Sequence, residues 1–237
     1  KDYYESITTP ENSVISIFGD IDAAKIEDGV LAATHTWNRS YPLTKIPEID
    51  SINSVKRNIE QTNKEQSVVT VAFYGAALGQ ADQTGLDLIS EALSDMGSRL
   101  FSRIREELGL AYYVGAQNFL GIGTGCFTFY AGTGADSAKQ VEEELIAQAK
   151  ALSLEGLTKE ELHRAKAKLL GQRKIARQEL GSVAFNACMD ELLGLGFNHS
   201  IDEDERIKNI TLDQVLDVSG RFFSINNYAV AISTPSS

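Results

Sequence analysis

The sequence predicts an α+β fold in which helices cover an antiparallel or mixed sheet. Runs rich in Val, Ile and aromatic residues favour strands, and apolar residues at helical spacing favour helices. The predicted elements follow the order strand, helix, strands, helix, strands, helices, strand. Two adjacent strand-like runs, near 111–119 and 124–133, flank the stretch Leu120-Gly-Ile-Gly123, which is typical of a β-hairpin. Because 43% of the 237 residues are apolar, the chain can bury a substantial core.

The N-terminal part of the chain predicts a strand, a helix and an extended connection. Residues 13–18 (Ser-Val-Ile-Ser-Ile-Phe) have strand composition and end at a Gly-Asp pair. Asp22 can cap a helix that runs to about Trp37. Two prolines in 40–51 indicate an extended segment there.

Two strands and a helix are expected next. The strands lie near 54–62 and 66–76, and the second is strongly β in composition. Asp82 then opens a helix whose apolar residues recur at helical spacing. This helix breaks at 95–98, before a further helix at about 98–108.

The C-terminal part predicts helices followed by one strand. The helices are expected near 136–153, 159–180, 183–193, 202–208 and 211–222, and the strand at 228–232. We interpret the acidic run Glu142-Glu-Glu144 in the first of these helices as a solvated face. No stretch resembles an inter-domain linker, so we expect a single domain over 1–237.

The chain is organised around the stretch from Leu100 to Val114. The apolar residues of its first half share one helical face: Leu100, Phe101, Ile104 and Leu108. Gly109 is expected to end this helix, since glycine readily takes positive φ. The sequence Ala-Tyr-Tyr-Val that follows indicates the start of a strand.

Two side chains at this junction are candidate functional groups. Arg105 lies beside the apolar face of the helix, whereas Arg99 and Arg103 point away from it. Tyr112 lies just after the turn at Gly109. A guanidinium and a phenol here can converge on one polar group, such as a peptide carbonyl or a developing oxyanion. The ordinary interpretation, a solvated arginine and a half-buried strand tyrosine, stays open from the pattern alone.

The stretch Ser98-Arg-Leu-Phe-Ser-Arg-Ile-Arg-Glu-Glu-Leu-Gly-Leu-Ala-Tyr-Tyr-Val114 resembles the signature of the second half of M16 zinc peptidases, the pitrilysin-like and mitochondrial-processing-peptidase-like family. Three weaker matches support the resemblance: 12–22, 125–133 and 158–168. It extends from about 13 to about 232. The resemblance implies a two-layer sandwich, with a mostly antiparallel sheet covered by helices, as in one half of those peptidases.

The family resemblance also implies a role. Two homologous halves, on one chain or two, close around a peptide, and the zinc, its ligands and the catalytic glutamate belong to the other half. The half that this chain resembles supplies an arginine and a tyrosine that hold the substrate backbone, and these fall on Arg105 and Tyr112. Gly109 would let the backbone turn between them. Tyr113 and Arg103 are the alternatives if the register differs.

The histidines do not predict a metal site in this chain. His35, His163 and His199 are the only ones, and none lies in His-Glu-x-x-His or in the inverted His-x-x-Glu-His. Neither of the first two has a second ligand one helical turn away. We therefore expect no cofactor in this chain and zinc in the partner half.

Composition excludes several other classes. A formal net charge of −11 argues against nucleic-acid binding, which needs clustered Lys and Arg. The sequence contains no run of about 18 apolar residues, so no membrane span is predicted. Cys126 and Cys188 are expected to be buried thiols rather than a disulfide, with Cys126 facing the core. A start at Lys1 suggests a fragment or processed product.

The expected partners are a peptide substrate and a zinc-binding M16 half. The chain alone is expected to be inactive. Two alternatives remain: a non-proteolytic structural or assembly domain, since the same fold serves in core subunits of the respiratory cytochrome complex, and a peptide-binding module without catalysis.

Overall fold

The computed structural model describes residues 1–38, 40, 49 and 52–236. Most of the extended connection predicted at 40–51 lies outside these residues. The chain divides into two compact units, which are described separately. The first unit comprises Lys1–Ile46 and Leu170–Glu205, and the second comprises Pro47–Leu169 and Arg206–Ser237.

The observed elements follow the predicted order, except at the N-terminus. The helices are α1 (Asp2–Ile7), α2 (Ala23–Thr34), α3 (Gln83–Leu93), α4 (Ala138–Glu155), α5 (Lys159–Ala176), α6 (Leu180–Leu192), α7 (His199–Asn209) and α8 (Leu212–Phe222). The strands are β1 (Lys56–Thr62), β2 (Ser67–Gly75), β3 (Ala111–Phe119), β4 (Gly125–Thr133) and β5 (Ala229–Pro235). A π-helical turn, Phe101–Glu107, lies between α3 and β3.

The second unit contains a five-stranded sheet in the order β1-β5-β2-β4-β3. β2 pairs antiparallel with β4 and β5, β3 pairs antiparallel with β4, and β1 pairs parallel with β5. The sheet is therefore mostly antiparallel, with β3 at one edge. Helices α3, α4 and α8 pack on it, which gives the expected two-layer α+β arrangement.

The core lies between one face of the sheet and these helices. Alternate residues of β2 point into it, and Val69, Val71 and Phe73 are fully or almost fully buried. Four phenylalanines meet there with ring centroids 4.9–5.9 Å apart: Phe73, Phe127, Phe129 and Phe223. Their edge-on and tilted contacts are the geometry that aromatic rings favour.

The opposite face of the sheet carries the alternate residues of the same strands, which are half-buried. Cys126 lies on this face because the neighbouring Phe127 points into the core. The expectation that Cys126 faces the core is therefore wrong by one position in the strand alternation. Both cysteines are free thiols and both are half-buried. Burial raises the pKa of the Cys126 thiol.

Two other expectations are corrected. Residues 13–18 form no strand, because no neighbouring strand pairs with this segment in the described structure. The run at 142–144 is not uniformly solvated. Glu142 is buried and pairs with Arg57, and Glu144 pairs with Arg103. A glutamate-rich sequence does not reveal that arginines from other elements approach it.

The first unit contains α1, α2 and α6 and parts of α5 and α7. Asp22 caps α2 as predicted, because its side chain accepts a hydrogen bond from the Lys25 amide at 3.4 Å. Arg177 and Arg173 both pair with Asp204, and the hydrogen bonds from Arg177 and then Arg173 lower the pKa of that carboxyl to about 2. Within the described part of the chain, no helix has the length and apolar character to span a bilayer.

Candidate functional site

The segment before Gly109 is a π-helical turn rather than the predicted α-helix. The Leu108 amide donates to the Arg103 carbonyl at 3.2 Å, five residues back, which widens the turn. Leu100 and Ile104 are fully buried, so these two positions of the predicted apolar face are confirmed. Single π turns are rare and frequently occur at functional sites.

Gly109 ends the turn, as predicted. Its φ is +63°, in the left-handed region that favours glycine. An added Cβ would meet nothing within 4 Å, so the requirement for glycine comes from the backbone angle and not from crowding. The Leu110 amide donates to the Ile104 carbonyl at 2.9 Å and closes the turn. Arg105 and Tyr112 are therefore attached near the two ends of one closed turn.

Arg105 is exposed and has no carboxylate partner among the described residues. Its guanidinium carbon lies 4.8 Å from the centroid of the Phe101 ring, one turn earlier. A cation stacked on an aromatic face keeps its five N–H donors available at the edge of the guanidinium plane. The side chain is thus supported on one side and available for a ligand.

The other two arginines of this segment are neutralised. Arg99 binds the Glu161 carboxylate through two nitrogens. Arg103 pairs with Glu107 at 3.0 Å and with Glu144 at 3.3 Å, and the hydrogen bonds that it donates to Glu107 and then to Glu144 raise the pKa of its guanidinium. Arg103 is therefore a weaker candidate than Arg105 for a ligand contact. The helical spacing, which places Arg99 away from the apolar face, does not reveal that Glu161 is its partner.

Tyr112 occupies a β-bulge at the start of β3. Ala111 lies opposite Thr133 and Tyr113 lies opposite Gly132, so Tyr112 has no partner in the ladder. Its side chain is 60% exposed. Bulges often occur next to active sites, where they redirect a side chain out of the strand alternation.

Tyr113 is held on the sheet face instead. Its ring lies over Gly132, where an added Cβ would overlap it. The ring centroids of Tyr113 and Tyr130 are 6.3 Å apart. Glycine here accommodates the ring, and the ring in turn covers the glycine backbone. The Tyr113 ring therefore packs against the sheet more extensively than the Tyr112 ring does.

The residues that the structure describes contain no arrangement suited to zinc. Within the described ranges, no group of three or more His, Cys, Asp or Glu side chains is arranged to hold a metal ion. The His35 ring nitrogen contacts the Ala32 carbonyl at 2.7 Å, and His163 is an exposed helix residue. The described residues therefore provide no donor set through which a metal-dependent step can be drawn.

A cavity of about 610 Å³ in the second unit lies away from the predicted residues. It is bounded by the start of α3, the end of α7 and one side of α8, and Asp82, Asp217 and Arg221 contribute charged groups to its wall. Neither Arg105 nor Tyr112 lines it. Arg221 is held by Asp82 and Asp217, whereas Arg105 has no carboxylate partner among the described residues.

Solved structures share this fold. A peptidase M16 inactive domain from Pseudomonas fluorescens superposes with a TM-score of 0.82 at 18% identity, covering 92% of this chain and 52% of that one. A protease from Helicobacter pylori gives the same TM-score at 16% identity, covering 92% and 54%. The chain thus has the α+β fold of these two solved structures.

The family model described as the peptidase M16 inactive domain matches residues 1–169. The chain belongs to this family, which confirms the resemblance carried by the 98–114 stretch. A zinc protease of Bacillus subtilis, YmxG, is 28% identical over 243 residues, covering 99% of this chain and 56% of the relative. A zinc protease of Rickettsia bellii is 29% identical, covering 90% and 52%. The chain spans about half the length of these curated relatives.

Proposed function

We propose that this chain is the substrate-binding, non-zinc half of an M16-type zinc metalloendopeptidase. In this proposal Arg105 and Tyr112 hold the backbone of a peptide substrate in a site formed with a zinc-bearing half. That half belongs either to the same full-length chain or to a separate subunit. The family membership supports the division of labour, because the matched domain is the inactive one.

One contrast carries the proposal. Three arginines lie within seven residues, and the acidic chain neutralises Arg99 and Arg103 with carboxylates but leaves Arg105 without one among the described residues. In a chain of net charge −11, an arginine stacked on a ring and unpaired is available for an external acceptor. The bulge that exposes Tyr112 supplies a second donor after the same closed turn.

The chemistry follows from these donors. A peptide carbonyl under nucleophilic attack develops negative charge on its oxygen. A guanidinium or phenol that donates to this oxygen, or to an adjacent backbone carbonyl, stabilises the transition state more than the ground state. The same contacts orient an extended peptide before reaction. This chain supplies binding and electrostatic stabilisation, while the nucleophile comes from the other half.

The tyrosine pair gives a matched test in the complete assembly with the zinc-bearing half. Tyr112→Phe removes one hydroxyl from the bulge, and we expect kcat for a peptide substrate to fall about 10²-fold, within the range for loss of one transition-state donor. Tyr113→Phe removes the same hydroxyl one residue later, on the sheet face, and we expect activity to change by less than about threefold, because no transition-state donor is lost.

Zinc content, measured by metal analysis, should be equal in both variants. Equal effects of the two substitutions, or a larger effect of Tyr113→Phe, would contradict the assignment of Tyr112. A complete assembly that binds peptides but never cleaves them would favour the peptide-binding module. One that does neither would favour the structural domain.

A further inference from the structure

Arg99 forms a buried clamp at the start of the segment that carries Arg105. Its Nε donates to Glu161 Oε1 at 2.7 Å, and its Nη2 donates both to Glu161 Oε2 and to the Gly156 carbonyl at 3.2 Å. The Arg99 side chain is only 21% exposed and the Glu161 side chain only 8%. A two-pronged pair of this kind fixes direction as well as distance, because the guanidinium is planar.

The acceptor is itself fixed. Glu161 Oε2 accepts a hydrogen bond from the Thr158 amide at 2.8 Å, and the Glu161 amide donates to Thr158 Oγ1 at 3.1 Å. These reciprocal bonds form a capping box at the start of α5. Burial alone would raise the pKa of the Glu161 carboxyl, but the bonds from Arg99 and Thr158 outweigh burial and hold that pKa below its usual value.

The clamp lies directly before the π turn. Arg99 lies two residues before Phe101, whose amide donates to Ser98 Oγ at 3.2 Å and whose ring supports the Arg105 guanidinium. At the far end, the hydrogen bond from Leu110 to Ile104 closes the turn. The segment is thus tied at its start to Gly156 and Glu161, and the turn is closed at its end by a hydrogen bond from Leu110, the residue before β3. Between these ties, Arg105 is the arginine left for a ligand.

We propose that Arg99 is a positioning residue for Arg105, acting through the Glu161 clamp and the π turn. This inference rests on the proposed function. Stability alone does not require an ion pair here, since two hydrophobic side chains of similar volume often stabilise a protein as well. Such a hydrophobic contact would not fix the orientation of the residue 99 side chain. The forked geometry at the base of the turn instead sets the direction in which the turn presents Arg105.

The test uses the complete assembly with four single variants and one double variant. Arg99→Lys keeps the charge but loses the fork, and Glu161→Gln keeps the capping box while weakening the clamp. Arg105→Ala is the reference. Arg221→Lys is the control, because Arg221 also binds a carboxylate, Asp82, through two nitrogens in the second unit. Each rate is expressed per folded molecule, with the folded fraction measured by near-UV circular dichroism.

We expect Arg99→Lys and Glu161→Gln each to lower kcat by about 10-fold or more, up to the roughly 100-fold that a displacement of about 1 Å can cost. KM should change little. Arg221→Lys should leave kcat unchanged. In the double variant Arg99→Lys/Arg105→Ala, the loss should equal that of Arg105→Ala alone, because a positioning residue has no effect once the positioned group is gone.

The outcomes separate the two proposals. If Arg105→Ala lowers the rate but Arg99→Lys and Glu161→Gln do not, or if their losses multiply with that of Arg105→Ala, the positioning role is overturned and the proposed function stands. If Arg105→Ala itself has no effect, the proposed function fails, and the positioning role fails with it. Should Arg99→Lys not fold, Glu161→Gln decides the matter by the same comparison.

Discussion

Replacing Arg105 with Ala is expected to lower peptide cleavage by the complete assembly about 10²-fold to 10³-fold, mainly in kcat. The guanidinium is supported by the Phe101 ring and has no carboxylate partner in the described part of the chain, so its loss removes a donor without leaving a buried charge. The unfolding free energy should therefore change little. Steady-state kinetics on one defined peptide, together with a denaturant titration, measure both quantities.

Arg103→Ala is the matched control for this substitution. It removes an arginine from the same π turn, but one whose partners are Glu107 and Glu144. We expect near-normal activity, because these carboxylates already hold the Arg103 guanidinium. The unfolding free energy should change by only about 0–1 kcal/mol, as is usual for ion pairs at the protein surface. Arg105→Lys should recover part of the activity because it restores the charge without the fork. A loss in Arg103→Ala as large as that in Arg105→Ala would exchange the roles of the two residues.

Replacing Phe223 with Ala is expected to lower the free energy of unfolding by about 3–5 kcal/mol. The ring is fully buried, and its centroid lies 5.5, 4.9 and 5.4 Å from those of Phe73, Phe127 and Phe129. Truncation would leave a cavity at the centre of the cluster that the surrounding sheet and helices cannot fill. Urea unfolding followed by far-UV circular dichroism gives the midpoint of the transition and the slope of the unfolding free energy against urea concentration.

The neighbouring Phe222→Ala serves as the control for the core prediction. Phe222 is half-buried and its ring lies near the Arg221 guanidinium, 5.6 Å from centroid to Cζ, outside the phenylalanine cluster. Its loss should cost well under half of the effect at Phe223. Similar effects at both positions would mean that the cluster around Phe223 is not the centre of the core.

Sequence alone predicts the hairpin to within one residue of β3 and β4. The reason is that β-rich runs and a glycine-rich turn are local signals. It also predicts the stop at Gly109, because a positive φ is a property of one residue. The 98–114 stretch identifies the family and, through it, the candidate pair. The hairpin and the stop depend on neighbouring residues, so periodicity and composition report them, whereas the family is identified by resemblance.

The features that single out Arg105 are not local. Glu161 lies 62 residues from Arg99, and Glu144 lies 41 residues from Arg103, so no sequence pattern links these partners. The apolar spacing predicts an α-helix where the π turn lies, because one extra residue in a turn leaves that spacing nearly unchanged. The bulge at Tyr112 arises from the pairing of β3 with β4, which alternation within one strand cannot reveal.

The most direct measurement of the central claim is peptide cleavage by this chain alone, by the zinc-bearing half alone and by the two together, with zinc content determined in each sample. The account predicts that neither half cleaves by itself, that the combination does, and that the bound zinc follows the other half. Cleavage by the zinc-bearing half at the full rate without this chain would contradict the account, as would zinc-dependent cleavage by this chain alone.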